Sequence, residues 1–466
     1  MKTKLLLTLS MFYAVSVFAQ FGEQQIISID AFYPSNVFSA DLDGDGDYDI
    51  LYSSINGVWW HENLDGMGLF GNKNLIVQNT EETSSSVSAS DIDGDGDLDV
   101  LSTFIDGSPS QNFENRVVWN ENLDGLGNFG TQRIITLDAY GPTDAKTADF
   151  DGDGDLDVLS ISRVDDKIAW YENLDGLGNF GAQHVISTQL VNPISSYIAD
   201  FDGDGHLDIV SQSFEEGNIA WFKNIDGSGT FSNAIFVSTN NPNHSVGDII
   251  GADLDGDNDI DIVTILKVDN RIVWFENMDG NGDFSDMIII AENIPKPNVI
   301  NASDLDNDGD LDIISSSFIN SGATSEIFYL LNENGLGDFD YPVLITNEIQ
   351  YTTGVFTCDI NLDGKLDLVS SSQLDSKIAW YENNTLGISE NENSQYVVYP
   401  NPTDGLLSIE SKELISKISV YNILGQMIET TSENNQVDLS KAEAGVYFLK
   451  IESENGNFQT FKIVRE

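Results

Sequence analysis

Between residues 21 and 384 the apolar positions fall in short runs separated by breaks rich in aspartate, asparagine and glycine, and helical periodicity is almost absent. Such runs, with turn chemistry between them, predict short antiparallel strands. One unit shows the pattern: an acidic loop from Asp149, the run Val158-Leu159-Ser160, the run IAWYEN from Ile168 to Asn173, the turn NLDGLGNF, and a last run from Phe180 to Ile186. The acidic loop recurs as DLDGDGDYD from Asp41, DIDGDGDLD from Asp91, DFDGDGDLD from Asp149, DFDGDGHLD from Asp200, DLDGDNDID from Asp253, DLDNDGDLD from Asp304 and DINLDGKLD from Asp359. Successive starts lie 50, 58, 51, 53, 51 and 55 residues apart. That period suits a four-stranded propeller blade. The expected fold class is therefore all-β: a seven-bladed β-propeller followed by a small β-sandwich C-terminal domain.

The last unit stops at Trp380-Tyr381-Glu382-Asn383 and lacks its outer run, while FGEQQII (Phe21 to Ile27) matches FGTQRII (Phe129 to Ile135). The N-terminal strand is thus expected to complete the last blade and close the ring, which removes exposed strand edges. Ahead of it, Lys2 and Lys4, an apolar stretch from Leu5 to Phe18, and Ala19 before Gln20 read as a cleaved signal peptide. A retained N-terminal anchor is the alternative, but the stretch is short for a span, and no later run approaches that length. The expected domains are a signal peptide over 1–19, the propeller over 20–384, a polar linker over 385–395 and a separate small domain over 396–466.

Charge narrows the partners. With 77 Asp+Glu against 20 Lys+Arg and a formal charge of −57, the chain is unsuited to nucleic-acid backbone or anionic membrane, and cations are its natural partners. An apolar fraction of 40% is too high for an acidic disordered chain. Cys358 is the single cysteine, which excludes an intrachain disulfide and a thiolate metal cluster.

Loop positions one, three, five and nine are carboxylates or amides that converge on a tightly turned backbone, the oxygen-only shell a hard cation such as Ca²⁺ selects. The expected ligands are Asp41, Asp43, Asp45 and Asp49; Asp91, Asp93, Asp95 and Asp99; Asp149, Asp151, Asp153 and Asp157; Asp200, Asp202, Asp204 and Asp208; Asp253, Asp255, Asp257 and Asp261; Asp304, Asp306, Asp308 and Asp312; and Asp359, Asn361, Asp363 and Asp367. Position seven is expected to contribute its backbone carbonyl alone, from Asp47, Asp97, Asp155, His206, Asp259, Asp310 and Lys365, because histidine and lysine side chains there cannot be obligatory ligands. Position six (Gly46, Gly96, Gly154, Gly205, Asn258, Gly309, Gly364) should need a positive φ. Position eight is apolar throughout and should anchor the loop in its blade. About one Ca²⁺ per blade is expected, up to seven, with Mg²⁺ disfavoured by its stricter octahedron. The seventh loop, with one carboxylate fewer, Lys365 and a bulky Leu362, should be the weakest site. Metal-free Asp/Gly turns are the plain alternative.

At these loops the sequence resembles the FG-GAP or VCBS-type propeller repeat, over residues 21 to 384. The resemblance implies integrin-α-like architecture with Ca²⁺ bound between the first two strands of each blade; it implies no single activity, since propellers host adhesins, lectins and lyases alike. The tail, through Tyr399-Pro400-Asn401-Pro402, Gly405, Tyr421 to Gly425, Val437 to Ser440, Gly445-Val446-Tyr447 and Lys462-Ile463-Val464, resembles the type A sorting domain of the type IX (Por) secretion system of Bacteroidetes. That resemblance implies the type IX machinery as a partner of 396–466, transport across the outer membrane, and a mature protein that is secreted or held at the outer-membrane surface after cleavage near Ala19/Gln20. A small β-sandwich that binds something itself is the alternative.

Other features carry less. Aromatics in the second run of each unit (Trp59-Trp60, Trp119, Trp170-Tyr171, Trp221-Phe222, Trp274-Phe275, Phe328-Tyr329 and Trp380-Tyr381) suit inter-blade packing more than a sugar-stacking ring. The Asn-Leu-Asp-Gly turns have too few carboxylates for a second ion. His61, His184, His206 and His244 lack the HExxH spacing, and no GxSxG elbow or phosphate loop is present. No catalytic residue can be nominated. The leading functional expectation is a non-catalytic, calcium-binding adhesion scaffold for a protein or polysaccharide. A secreted polysaccharide lyase or glycosidase on the same scaffold is the second reading, and surface-layer assembly the third. The insertion from Gly107 to Arg116 is the expected place for a ligand-contacting loop.

Overall fold

The computed structural model describes residues 20–385, apart from 79–81, 107–114, 239–245 and 320–323, and most of 396–465. The expected signal peptide, nearly all of the expected linker and most of the Gly107–Arg116 insertion lie outside the described residues. The chain divides into two compact units at Thr385/Leu386. Every regular element among the described residues is a strand.

The first unit holds seven four-stranded sheets. After the short strand β1 (Gln25–Ser28), the first sheet runs β2 (Pro34–Ala40), β3 (Asp49–Ser54), β4 (Gly57–Asn63) and β5 (Phe70–Gln78) in sequence order, all antiparallel. Five further sheets repeat that order. The first strands of the seven sheets, Pro34–Ala40, Glu82–Ser90, Pro142–Ala148, Pro193–Ala199, Val246–Ala252, Pro297–Ser303 and Thr352–Cys358, each touch the next around a closed ring. This is a seven-bladed propeller.

The last blade is closed as the sequence suggests. Its own chain supplies Thr352–Cys358, Asp367–Ser372 and Lys377–Tyr381, and β1 adds the outer strand by pairing with Lys377–Tyr381, Gln25 opposite Trp380. Phe21 bridges Asn383 and the Gly22 amide donates to the Glu382 carbonyl at 2.7 Å. Both chain ends of the ring are thus bound into one sheet.

Burial follows strand position. Second strands are buried along most of their length, as in Asp49–Ser54 and Asp157–Ser162, whereas outer strands such as Arg133–Thr136 and His184–Ser187 are half exposed. The propeller core is divided among seven seams, each filled from two adjacent blades. Leu51, Val58 and Trp60 meet Val87, Val100 and Phe104 between the first and second blades, and Tyr52 and Ile50 meet Val369 and Trp380 between the first and seventh. Trp60, Trp119, Trp170, Trp221, Trp274 and Trp380, all buried, are seam residues. Against each lies a glycine from the following blade: a Cβ on Gly127 would come within 2.3 Å of Trp60, and one on Gly178 within 2.1 Å of Trp119. The aromatic repeat is therefore explained by packing. Cys358 is buried in the seam between the seventh and first blades, where desolvation pushes its thiol up to about 12.

The second unit pairs a four-stranded sheet (Tyr396–Tyr399, Leu406–Ser411, Gln436–Asp438, Thr431–Glu433) with a three-stranded one (Ile415–Asn422, Gly445–Ser453, Phe458–Arg465). Leu407, Ile409 and Val437 from the first meet Val420, Leu449, Ile451 and Ile463 from the second in one core.

Gly178 combines a φ of +72° with that close approach to Trp119. Gly178→Ala is expected to cost at least about 2 kcal/mol through overpacking and backbone strain, read as a lower denaturant midpoint. An unchanged midpoint would contradict the seam geometry.

Candidate metal centres

Each acidic loop joins the first and second strands of its blade, as Asp41 to Asp49 joins β2 to β3. Position one closes the turn on itself: one carboxylate oxygen accepts the position-six amide in every loop, from 2.8 Å (Gly205 to Asp200) to 3.1 Å (Gly46 to Asp41). Position five accepts the position-seven amide in all seven loops, for example Asp155 to Asp153 at 2.9 Å. These two contacts curl the backbone so that carboxylates converge. Oxygens of Asp91, Asp93 and Asp99, of Asp149, Asp151 and Asp157, of Asp200, Asp202 and Asp208, and of Asp253, Asp255 and Asp261 each lie within 4.8 Å of one another, as do those of Asp41, Asp43 and Asp45.

The curl requires left-handed backbone at position six, where φ runs from 73° at Asn258 to 100° at Gly96. A Cβ on Gly46, Gly96 or Gly154 would meet nothing within 4 Å, so glycine is there for its φ and not for space. Position four is left-handed as well, from 55° at Leu362 to 76° at Gly152, a requirement the sequence reading did not draw. The strained Leu362 sits in the seventh loop. Position-seven side chains in the second to sixth loops turn away toward the first glycine of their own blade's next turn: a Cβ on Gly125 would lie 2.3 Å from Asp97, and one on Gly227 2.3 Å from His206.

Position nine is buried in all seven loops and has both oxygens engaged. Asp157 accepts the Phe150 amide at 3.0 Å on one oxygen and the Asn173 amide at 2.8 Å on the other, and the remaining six repeat the pair. Burial pushes Asp49 up to about 8, Asp99, Asp157, Asp261, Asp312 and Asp367 to about 7, and Asp208 to about 6, with the backbone amides opposing. Position three differs. Asp43, Asp93, Asp202, Asp255 and Asp306 each leave one buried oxygen with no hydrogen-bond donor. A buried carboxylate oxygen without a donor is costly, and a cation at the convergence point would satisfy it. The donor set fits a hard divalent ion.

The asparagine of the Asn-Leu-Asp-Gly turn is a second feature that sequence reasoning missed. Asn173, fully buried, donates its amide to Asp157 and its side-chain NH₂ to the Ile92 carbonyl of the preceding blade's loop at 2.9 Å. Asn63, Asn122, Asn224, Asn277, Asn332 and Asn383 make the same two contacts around the whole ring. Each loop is therefore tied to the next blade. The residue before this asparagine also bears on the site. Burial raises Asp43, Asp93, Asp151 and Asp255, their position-five neighbours add repulsion, and Glu62, Glu121, Glu172 and Glu276 add more. In the fourth blade that residue is Lys223, whose ammonium contacts Asp202 and lies 3.0 Å from Asp204. The histidines are not brought together: His61 is buried, His184 stacks on Trp170, His206 lies against Gly227, and His244 falls outside the described residues.

A closed ring of seven blades, each with a curled acidic loop between its first two strands, defines the class of protein. The FG-GAP-like repeat model matches residues 23–102, 149–211, 200–264 and 253–315, just over half of the chain, and the chain belongs to that family. Residues 397–466 match the secretion system C-terminal sorting domain. The second unit is such a domain, which marks the protein for export to the cell surface or the medium. The chain is also 28% identical over 131 residues to beta-agarase A of Zobellia galactanivorans, a stretch that covers 24% of each protein. It thus spans about a quarter of that relative's length. No helix among the described residues is long and apolar enough to cross a membrane.

The raised position-nine carboxyls set a pH dependence. A group whose folded pKa lies above its unfolded value stabilises the fold at low pH and loses that contribution as pH rises to its folded value. With a chelator present, the melting temperature should therefore fall between about pH 4 and pH 8 and level off above. Thermal unfolding across that range checks it; a melting temperature that climbs with pH would contradict the burial of these groups.

Proposed function

We propose that the protein is a calcium-stabilised, non-catalytic binding scaffold that is exported and meets a protein or polysaccharide through its propeller. Residues 1–19 are the removed signal peptide, 20–384 the propeller, 385–395 the linker and 396–466 the segment handled by the type IX machinery. The observation that carries the calcium reading is the buried position-three oxygen that lacks a donor in loop after loop. Positions one, three, five and nine supply the carboxylates, position seven its carbonyl, and every donor is an oxygen, as Ca²⁺ prefers. Loop seven is the weakest of these sites: Asn361 replaces a carboxylate, Leu362 is held left-handed, and the Lys365 ammonium lies 3.4 Å from Asp363.

The ions would act on the fold through the seams. Each loop is bonded to the next blade through a turn asparagine, so a cation that rigidifies a loop also fixes two blades relative to one another. The same turns expose apolar tips, Leu123, Leu126, Leu174 and Leu177 each about 60% accessible, which gives a partner apolar contacts within an acidic surface. The likeness to an agarase favours polysaccharide as the ligand class, and it is also what supports the second reading, a polysaccharide-degrading enzyme.

Two measurements test the proposal. Calcium should raise the melting temperature strongly and chelation reverse it, since one site at a hundredfold excess over Kd contributes about 2.7 kcal/mol, and Asp255→Asn should remove one bound ion. An unchanged melting point with no bound metal would sink the calcium reading. Incubation with neutral polysaccharides should give binding without new reducing ends; release of oligosaccharides would favour the enzyme instead.

A further inference from the structure

The fourth blade breaks the pattern of its neighbours at one residue. In the first, second, third, fifth and seventh blades the residue before the turn asparagine is Glu62, Glu121, Glu172, Glu276 and Glu382. In the fourth it is Lys223, placed by the same backbone pairing: its amide is 3.0 Å from the Ser232 hydroxyl, and its carbonyl accepts the Ser232 amide at 2.8 Å. From there its side chain enters the acidic loop. The ammonium touches one oxygen of the buried Asp202 at position three and lies 3.0 Å from Asp204 at position five.

Resting on the calcium reading of the other loops, we propose that Lys223 is the built-in counter-ion of the fourth loop, so that this blade holds its carboxylates together without a metal ion. The geometry distinguishes it from the seventh loop. Lys365 reaches only position five, at 3.4 Å, and shares its ammonium with the Asn383 carbonyl at the same distance. Lys223 instead bridges positions three and five, two of the oxygens a divalent ion would need. A bound cation would have to displace the ammonium from Asp202, whose side chain is only 5% exposed, or share the site with a like charge. The second Asp202 oxygen remains without a donor, but the charge of the carboxylate is already met. One propeller thus uses two means of neutralising the same loop, and the fourth blade keeps its order when calcium is withdrawn.

The test uses the mature full-length chain, with Ca²⁺ alone as the probe. Lys223→Glu installs the residue of five other blades, and Lys223→Gln removes the charge without adding one. By equilibrium dialysis each variant should bind one equivalent of Ca²⁺ more than wild type. In chelator each should melt a few degrees lower than wild type, a difference that saturating Ca²⁺ abolishes. Should Lys223→Glu fail to fold, Lys223→Gln alone decides both readouts. Wild type that binds ions while neither variant gains one, or variants that melt like wild type in chelator, would overturn the proposal. Wild type and variants that bind no ion at all would overturn it together with the calcium reading, a pattern distinct from the first.

Discussion

The structure depends on seven buried carboxylates. Asp49, Asp99, Asp157, Asp208, Asp261, Asp312 and Asp367 each begin the second strand of a blade, and each accepts the amide of its own loop's second residue and that of the turn asparagine. A neutral amide does not fit this place. The position needs two acceptor oxygens in one plane, and a neutral amide would turn an NH₂ toward a backbone N–H. The cost is a set of carboxylates in low dielectric beside the other acids of their loops, which lifts their pKa values to neutrality. A fold that spaces such groups around a ring must neutralise them, by protons, metal ions or internal cations, and the loops are built around that need.

The seams explain why the need is shared by the whole ring. Each hydrophobic cluster in this propeller is shared by two adjacent blades, so part of every blade's stability is conferred by its neighbours. The Asn173 side chain reaching back to Ile92, and its six equivalents, place a polar tie at the same seams where tryptophan meets glycine. Loop order and seam packing therefore stand or fall together. Closure by β1 makes the ring free of terminal blades, and a weakened loop is held from both sides. That arrangement tolerates the strained Leu362 and the lysine in blade four.

Much of this was legible in the sequence because the signal repeats. Seven near-identical loops fixed the blade count, and FGEQQII matched FGTQRII closely enough to reveal the closing strand. The tryptophan column read correctly as packing, since one aromatic per blade is what a seam takes. The asparagine tie was not legible, because its partner lies some eighty residues away in sequence and Asn-Leu-Asp-Gly is an ordinary hairpin turn by composition. The left-handed fourth position was open to reading, as five of the seven residues there are glycine and one is Asn307, but Leu362 obscured the rule. Lys223 hid in a strand run, WFKN against WYEN, where a charge swap looks like surface variation until the fold directs the side chain at the loop.

Charge then limits what the exported propeller can hold. Divalent ions in every loop would offset only about a quarter of the formal −57, and the surface would stay strongly acidic. Long-range repulsion at low salt disfavours a polyanionic partner, so sulfated or uronate-rich chains are poor candidates unless bound calcium bridges them. Neutral polysaccharide avoids this penalty, and a basic protein would be drawn in by it. Leucine tips such as Leu123 and Leu174 can contact sugar rings through their apolar faces and add no charge of their own. The composition of the chain and the exposure of its turns thus leave an uncharged polysaccharide or a basic protein as the chemistries to be tried first.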